Sequence, residues 1–522
     1  MRPFAPHLVL VAGWLALLPL TGHYGNPDGP SYVVVAQRWA ELDLPAAVNA
    51  YWGPLLSWGA APLVAVGVPG LAALRIVLLV GGLLTFAPLR SLCHRAGAGP
   101  AATDVVLVAV APFLVYATLF GLYADVLMGA ALLRSLELLT RDEVDRGPGM
   151  AVRAGAWAGV AFLARAYALP VALVVLPLVA LGRRWAAPIR PGGGDALRTA
   201  GLALAGLALV AGAWTGVLSA VYGQPTFSTS AGFNADLVAP GSAGNPFNVR
   251  GLHPPVREDG VSAWEEPSQL PVPVRSDAED GEVGRADTAH RVELAVANAR
   301  IVVGSVLRRG APLVALALLA LVGHARRRQM PAAALTGPLA AGAVAAGGLL
   351  LIIAIERYLW LPILATAPAA AVGLHLLWRE RPRWGRPAAG LLVLVMAATS
   401  LHGLLPRVGA HQEVTAAAQA LENAGLEGHV ATVDSWQRSH LLCFRVGCTY
   451  VGRPEARDAA AAAEELRSAG VDHLLVWAGD AEGIQGVADL PEGVELRVLA
   501  VTADGFEIRH DVVADPAGAT AP

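Results

Sequence analysis

Residues 199–221, TAGLALAGLALVAGAWTGVLSAV, run for 23 positions without a charged side chain. A helix of about 20 residues, rising 1.5 Å each, covers the roughly 30 Å of hydrocarbon in a bilayer. Arg183, Arg184, Arg190 and Arg198 precede the run, and a Pro- and Gly-rich stretch of roughly 222–300 follows it. Short arginine-rich loops collect on the cytoplasmic side of spans. The run is therefore expected to cross from the cytoplasm and to deliver a long loop to the far face.

Working outward, similar apolar stretches lie near 8–21, 68–89, 104–119, 125–139, 151–164, 168–182, 311–323, 332–354, 359–378 and 387–405. With 199–221 they predict a polytopic α-helical membrane protein of about 11 transmembrane helices. Arg90 and Arg95, Arg141 and Arg146, the cluster before 199, Arg326 to Arg328, and Arg379, Arg381, Arg383 and Arg386 occupy alternate loops, and Arg2 precedes the first span. The expected topology is multi-pass in the plasma membrane, with the N-terminus cytoplasmic and the C-terminus extracytoplasmic. No A-x-A site follows the first span, which reads as a retained helix rather than a cleaved signal.

Composition agrees. The chain has 522 residues, 55% hydrophobic and only 15% charged, and a mean hydropathy of +0.52, too apolar for a soluble enzyme of this length. A net charge of −3 gives no basic surface for nucleic acid. Lysine is absent, which removes Schiff-base chemistry and the lysine of a phosphate-binding P-loop. Cys93, Cys443 and Cys448 are too few for a disulfide framework. Cys443 and Cys448 suit either one bridge or two buried thiols.

Three segments fall outside: loops of about 22–60 and 222–300, and a tail from 407. The expected division is a transmembrane domain over 1–406 and a soluble extracytoplasmic domain over 407–522. Helix-like and strand-like stretches alternate in that tail, which argues a small α/β domain. Within the second loop, residues 290–309 carry apolar residues at helical spacing with Arg300, Arg308 and Arg309. They suit an interfacial helix or the start of a longer tilted span.

Charges outside the basic loops need a reason in a membrane protein. Asp28 sits in GNPDGPSY, where a turn-capping role is the plainer account. Asp125, in LFGLYADVLMG, suits a helix N-terminus. The topology nevertheless puts both carboxylates at the external face, with Arg165 and Tyr167 of FLARAYALP and Glu356, Arg357 and Tyr358 of AIERYLWLP. External arginines in very short loops point to an anionic partner, because guanidinium clamps phosphate oxygens in bidentate fashion. Carboxylates there suit deprotonation of a hydroxyl or a divalent metal. His23 and His253 lie on the same side, although lone loop histidines are mostly surface residues.

These segments resemble the GT-C membrane glycosyltransferases, in the bacterial branch related to protein mannosyltransferases and aminoarabinose lipid A transferases. The first external loop of that family is matched by Asp28 and Tyr32, then by Tyr51, Trp52, Pro54, Leu55 and Trp58 of NAYWGPLLSW. Asp125, Arg165 and the Arg357–Tyr358 pair match later family positions. The resemblance implies a GT-C-like membrane core over about 8–405 and sugar transfer from a polyprenyl-phosphate donor, entered from the membrane lipid, to an extracytoplasmic acceptor such as a cell-wall glycan, lipid or protein. It implies Asp28 as general base or part of a metal site, with Arg165 and Arg357 neutralising the lipid phosphate. Gly29 stands where the protein mannosyltransferases have Glu, so protein O-mannosylation is not expected. The family core accounts for neither the 222–300 loop nor the tail. A lipid or sugar transporter would show inverted repeats and mid-bilayer charges, and a non-catalytic envelope scaffold would not need Asp28 and Arg165.

Overall fold

The apolar stretches fall mainly in helices, although 332–354 runs past the end of its helix at Leu349 and 359–378 is divided between two helices. The computed structural model describes residues 4–186, 193–275, 284, 287–328, 330–423, 426–433, 435–477, 497–502 and 505–509. The chain opens with α1 (Ala5–Thr21), α2 (Asp28–Ala40), α3 (Leu44–Ala47), α4 (Pro54–Ala65), α5 (Gly70–Arg95), α6 (Pro100–Phe120), α7 (Asp125–Leu139), α8 (Pro148–Ala164) and α9 (Ala168–Ala186). It continues through α10 (Gly193–Tyr222), α11 (Ser230–Asp236), α12 (Thr288–Arg326), α13 (Ala333–Leu349), α14 (Trp360–Ala365), α15 (Ala367–Glu380) and α16 (Pro382–Leu404). Among the described residues five helices, starting at Gly70, Pro100, Asp195, Thr288 and Pro382, are long and apolar enough to cross a bilayer. The α14–α15 pair, bent by 45°, makes a sixth if it counts as one broken span, and α1, α4, α9 and α13 are shorter apolar helices. The chain is a multi-pass membrane protein.

Residues 290–309 belong to one 39-residue helix, α12, whose N-cap Asp287 accepts the His290 backbone N–H at 2.7 Å. At 1.5 Å per residue α12 is about 58 Å long, roughly twice the hydrocarbon thickness. The longer-span reading of this stretch therefore fits, and its polar first half has no need to lie in lipid.

Two compact units divide the chain. The first holds residues 1–21, 35–235 and 286–408; the second holds 22–34, 236–285 and 409–522. The second unit is thus wider than the tail from 407, taking in part of each external loop.

In the first unit, buried charges answer helix ends and one another. Arg75 of α5, 3% exposed, donates to Leu119 O at 3.2 Å and Thr21 O at 3.1 Å. It thereby serves carbonyls at the C-terminal ends of α6 and α1, where cations are favoured. Glu137 of α7, fully buried, accepts from Ser91 at 2.7 Å, Arg134 at 2.6 Å and Arg141 at 2.8 Å, as a carboxylate removed from water requires.

The second unit is built on a six-stranded sheet of β1 (Gly251–Leu252), β2 (His429–Thr432), β3 (Thr449–Arg453), β4 (His473–Trp477), β5 (Arg497–Thr502) and β6 (Gly505–Arg509), in the order β1-β3-β2-β4-β5-β6. Pairs β2–β3, β2–β4 and β4–β5 are parallel, while β1–β3 and β5–β6 are antiparallel. Helices α17 (Gln412–Asn423), α18 (Trp436–Val446) and α19 (Ala459–Ser468) alternate with the strands, as parallel connections demand. Its core includes Val433, Val451, Leu466 and Leu474. Strand β1 comes from the 222–300 loop, so that loop contributes backbone to the tail's sheet. Residues 424, 425, 434, 478–496, 503, 504 and 510–522 of the tail lie outside the described residues. Cys443 and Cys448 are both buried thiols, and burial, then the neighbouring Cys448, push Cys443 well up.

Arg75→Met is expected to cost roughly 2–4 kcal/mol by leaving two carbonyls without their charged donor. Unfolding of the detergent-purified protein, followed by tryptophan fluorescence, checks this; wild-type stability would overturn it.

Candidate functional site

The turn before α4 shows how sequence sets the site. Asn49 Oδ1 accepts the backbone N–H of Tyr51 at 2.8 Å and of Trp52 at 2.9 Å, an Asx turn that presents two aromatic rings in sequence. Gly53 then passes against the end of α8, where a Cβ would stand 2.3 Å from Ala164 O and 2.6 Å from Leu163 O. Only glycine permits that approach. Pro54 opens α4 with its fixed φ.

Arg165 is the next residue after α8, in extended backbone (φ −148°, ψ 124°). Its Nε and Nη2 both donate to Asp125 Oδ2, at 3.1 and 2.8 Å. Asp125, 2% exposed, opens α7, where the helix dipole favours a carboxylate. Two helix ends far apart in sequence are joined by this charge-assisted pair.

Tyr51, Trp52, Asp125, Arg165, Tyr167, Arg357 and Tyr358 all line one cavity of about 150 Å³ in the first unit. The Tyr51 and Trp52 rings meet edge-on, with centroids 4.6 Å apart. The Arg165 guanidinium lies 5.6 Å from the centre of the Tyr358 ring, and that of Arg357 lies 5.2 Å from the same ring and 4.0 Å from that of Tyr123. Tyr167 donates its hydroxyl to Ala345 O. One carboxylate and two guanidiniums leave the lining one positive charge in excess. A singly charged anion, such as a phosphodiester, matches that excess.

Glu356 is not in this cavity. It faces a neighbouring one, where Arg309 Nε donates to its Oε1 at 2.8 Å. Sequence reasoning missed Arg309 as a site residue, since its amphipathic context gave it an ordinary interfacial role. Phe227 and Asn234, which also line the first cavity, carried no sequence signal.

A second, apolar cavity of about 760 Å³ lies along Trp39, Trp58, Leu163 and Trp214. Trp58 meets Trp39 and Trp214 edge-on, at 5.7 and 5.3 Å between centroids. Leu163 belongs to its wall, and Arg165, two residues on, belongs to that of the first cavity.

Asp28 and Tyr32 belong to the second unit, where both are buried. Asn26 Oδ1 accepts Gly29 N–H at 2.9 Å, shaping the turn that starts α2. Asp28 Oδ1 accepts the Trp264 indole N–H at 3.3 Å, and Ser31 Oγ donates to Trp264 O at 3.0 Å. From the tail, His440 Nε2 donates to Pro27 O at 3.2 Å. The rings of Phe247, Trp264 and Trp436 pack with centroids 5.0 to 5.6 Å apart, and Trp436 lies 6.5 Å from His440. Residues from the long loop and the tail thus both bond to the turn that carries Asp28, Trp264 to its carboxylate and His440 to Pro27 O.

His23 Nδ1 is 3.0 Å from Thr415 Oγ1, and His253 is half-buried, its proton affinity lowered by burial. Among the described residues no three His, Cys, Asp or Glu side chains come together to hold a metal. Asp125 Oδ2 is already engaged by Arg165. The donor set does not fit a metal centre, and the chemistry below uses the chain's own groups.

No protein-family model matches the sequence, and no curated protein matches it. Solved structures do match in fold. The crystal structure of ArnT from Cupriavidus metallidurans bound to undecaprenyl phosphate aligns with a TM-score of 0.55 over 95% of this chain and 92% of that one, at 14% identity. The same protein in the apo state aligns at 0.52 over the same shares, at 13% identity. ArnT is a GT-C glycosyltransferase. The chain therefore has the GT-C fold that its first-loop motif implied.

Two measurements test the geometry. Gly53→Ala, forcing a methyl group against the α8 carbonyls, is expected to destabilise the protein by about 1–3 kcal/mol in detergent unfolding; an unchanged midpoint would contradict the close approach. His440 is 1% exposed, and burial drives its pKa down from 6.5 to about 4. Between those values the unfolded chain binds a proton that the folded chain refuses, so stability falls as pH drops from about 6.5 to 4, by about 3 kcal/mol in all. His440→Gln should flatten that part of the pH–stability curve.

Proposed function

We propose that this GT-C-fold protein transfers a sugar from a polyprenyl-phosphate donor to a hydroxyl on an extracytoplasmic acceptor. The cavity that gathers Asp125, Arg165, Arg357 and Tyr358 carries the reading, because its charge suits the donor's phosphate. The phosphodiester of the donor holds one negative charge, and the departing polyprenyl phosphate monoester holds more. A lining with positive charge in excess therefore binds the leaving group more strongly as the bond breaks, which accelerates the step rather than merely binding substrate.

In this reaction the bond between the sugar's anomeric carbon and the phosphate oxygen breaks. A bond from the acceptor oxygen to that carbon forms. Asp28 takes the acceptor's proton as general base, its carboxylate held by Trp264. Arg165 and Arg357 neutralise the phosphate, and Asp125 fixes Arg165. Tyr51 and Trp52 offer ring faces to the sugar. The apolar cavity at Trp39, Trp58 and Trp214 suits the isoprenoid chain of the donor. The alternation of arginine-rich loops supports a cytoplasmic N-terminus and an extracytoplasmic C-terminus.

The test is transfer of radiolabelled sugar from polyprenyl-phosphate donors by the purified protein. Turnover is expected, reduced at least about a hundredfold by Asp28→Asn, as for loss of a general base. Trp264→Phe, which keeps the ring but removes the N–H to Asp28, is expected to lower kcat with little change in KM for the donor. Full activity of Asp28→Asn removes that residue from catalysis, and no turnover with any polyprenyl donor favours a scaffold.

A further inference from the structure

The second charged cavity, of about 340 Å³, lies in the first unit beside Tyr116, Arg309, Glu356, Arg357 and Arg407. Three guanidiniums against one carboxylate leave its lining two positive charges in excess. Tyr116 is held between two of them, with the Arg309 guanidinium 4.6 Å and the Arg407 guanidinium 5.1 Å from its ring centre. Its hydroxyl accepts from Arg407 Nη1 at 3.0 Å and donates to Glu356 Oε1 at 3.4 Å. Arg309 Nη1 also donates to Thr399 O at 2.6 Å. Gly403 makes room for that side chain, since a Cβ there would stand 2.4 Å from Nη1.

Trp360 lines the same cavity, is 2% exposed, and its indole N–H has no acceptor among the described residues. A buried donor left unmet is costly, so a ligand oxygen within its reach would be favoured as well as negative charge. Arg357 stands in the walls of both charged cavities.

We propose that this cavity is an anion site in its own right, taking a phosphate-class group apart from any bound at the Asp125–Arg165 pair. A phosphate monoester carries about −1.5 to −2 charges at neutral pH, close to the excess in the lining. Its oxygens match guanidinium hydrogens in pairs and supply an acceptor for the Trp360 N–H. The group arrives either on a lipid headgroup or as free phosphate from solution. The site does not depend on the glycosyl-transfer reading, because binding alone defines it.

The full-length protein, purified in detergent and phosphate-free buffer, is titrated calorimetrically with inorganic phosphate. In parallel it is equilibrated with phosphatidic acid, and bound lipid is counted by native mass spectrometry. Saturable binding in at least one arm is expected, and the arm that responds identifies the source. Arg407→Gln should weaken it about tenfold or more, Arg407→Lys by clearly less, and Arg153→Gln, an exposed arginine that lines neither cavity, by no more than about twofold. No saturable binding in either arm would overturn the proposal. So would equal loss in Arg407→Gln and Arg407→Lys, which makes the effect one of packing rather than charge. Binding lost in Arg165→Gln but kept in Arg407→Gln would assign the anion to the other cavity.

Discussion

A charge removed from water has to be met by another charge, a carbonyl or a ring, and the first unit is arranged around that requirement. Asp125 and Arg165 are its central case. The pair joins the start of α7 to the residue after α8, and the rest of the first cavity is disposed about it. Arg357 and Arg165 both lie against the Tyr358 ring, so Arg357 and Tyr358 of the short Glu356–Leu359 turn face this cavity while Glu356 faces the other. Replacing such a pair by apolar residues need not destabilise the fold. Its presence is better explained by what the two charges do together.

Elsewhere the same constraint serves structure alone. Arg75 answers carbonyls at two helix ends, and Glu137 collects a serine and two arginines. These contacts meet charges inside the bundle, whereas the linings of both charged cavities hold more guanidiniums than carboxylates.

In the second unit the organising contact is smaller. The Trp264 N–H on Asp28 and the His440 N–H on Pro27 O bring a loop residue and a tail residue to one short turn. Strand β1 supports this by pairing with β3, so the loop is anchored by backbone hydrogen bonds as well as by its aromatic rings. A domain read from sequence as an appendage thus supplies the surroundings of Asp28.

Much was legible without coordinates. A slab of hydrocarbon imposes a length and forbids charge, so the apolar runs marked helices, and 125–139 coincides with α7 residue for residue. The motif residues Tyr51, Trp52, Asp125, Arg165, Tyr167, Arg357 and Tyr358 proved to share a cavity. Helix termini and turns bring polar side chains to the ends of spans, and local sequence records such positions. Glu356 was grouped with them by adjacency, yet it turns to Arg309, because neighbours on a tight turn point in different directions. By itself the sequence determined the membrane-spanning class and most of the segments that line the first cavity, through periods and lengths each stretch holds alone. Only the tertiary structure decided that Asp125 pairs with Arg165, that the loop adds a strand to the tail's sheet, and that a second charged cavity forms at Arg309 and Arg407. Those contacts join residues 40 to about 200 positions apart, and they depend on packing that no local pattern encodes.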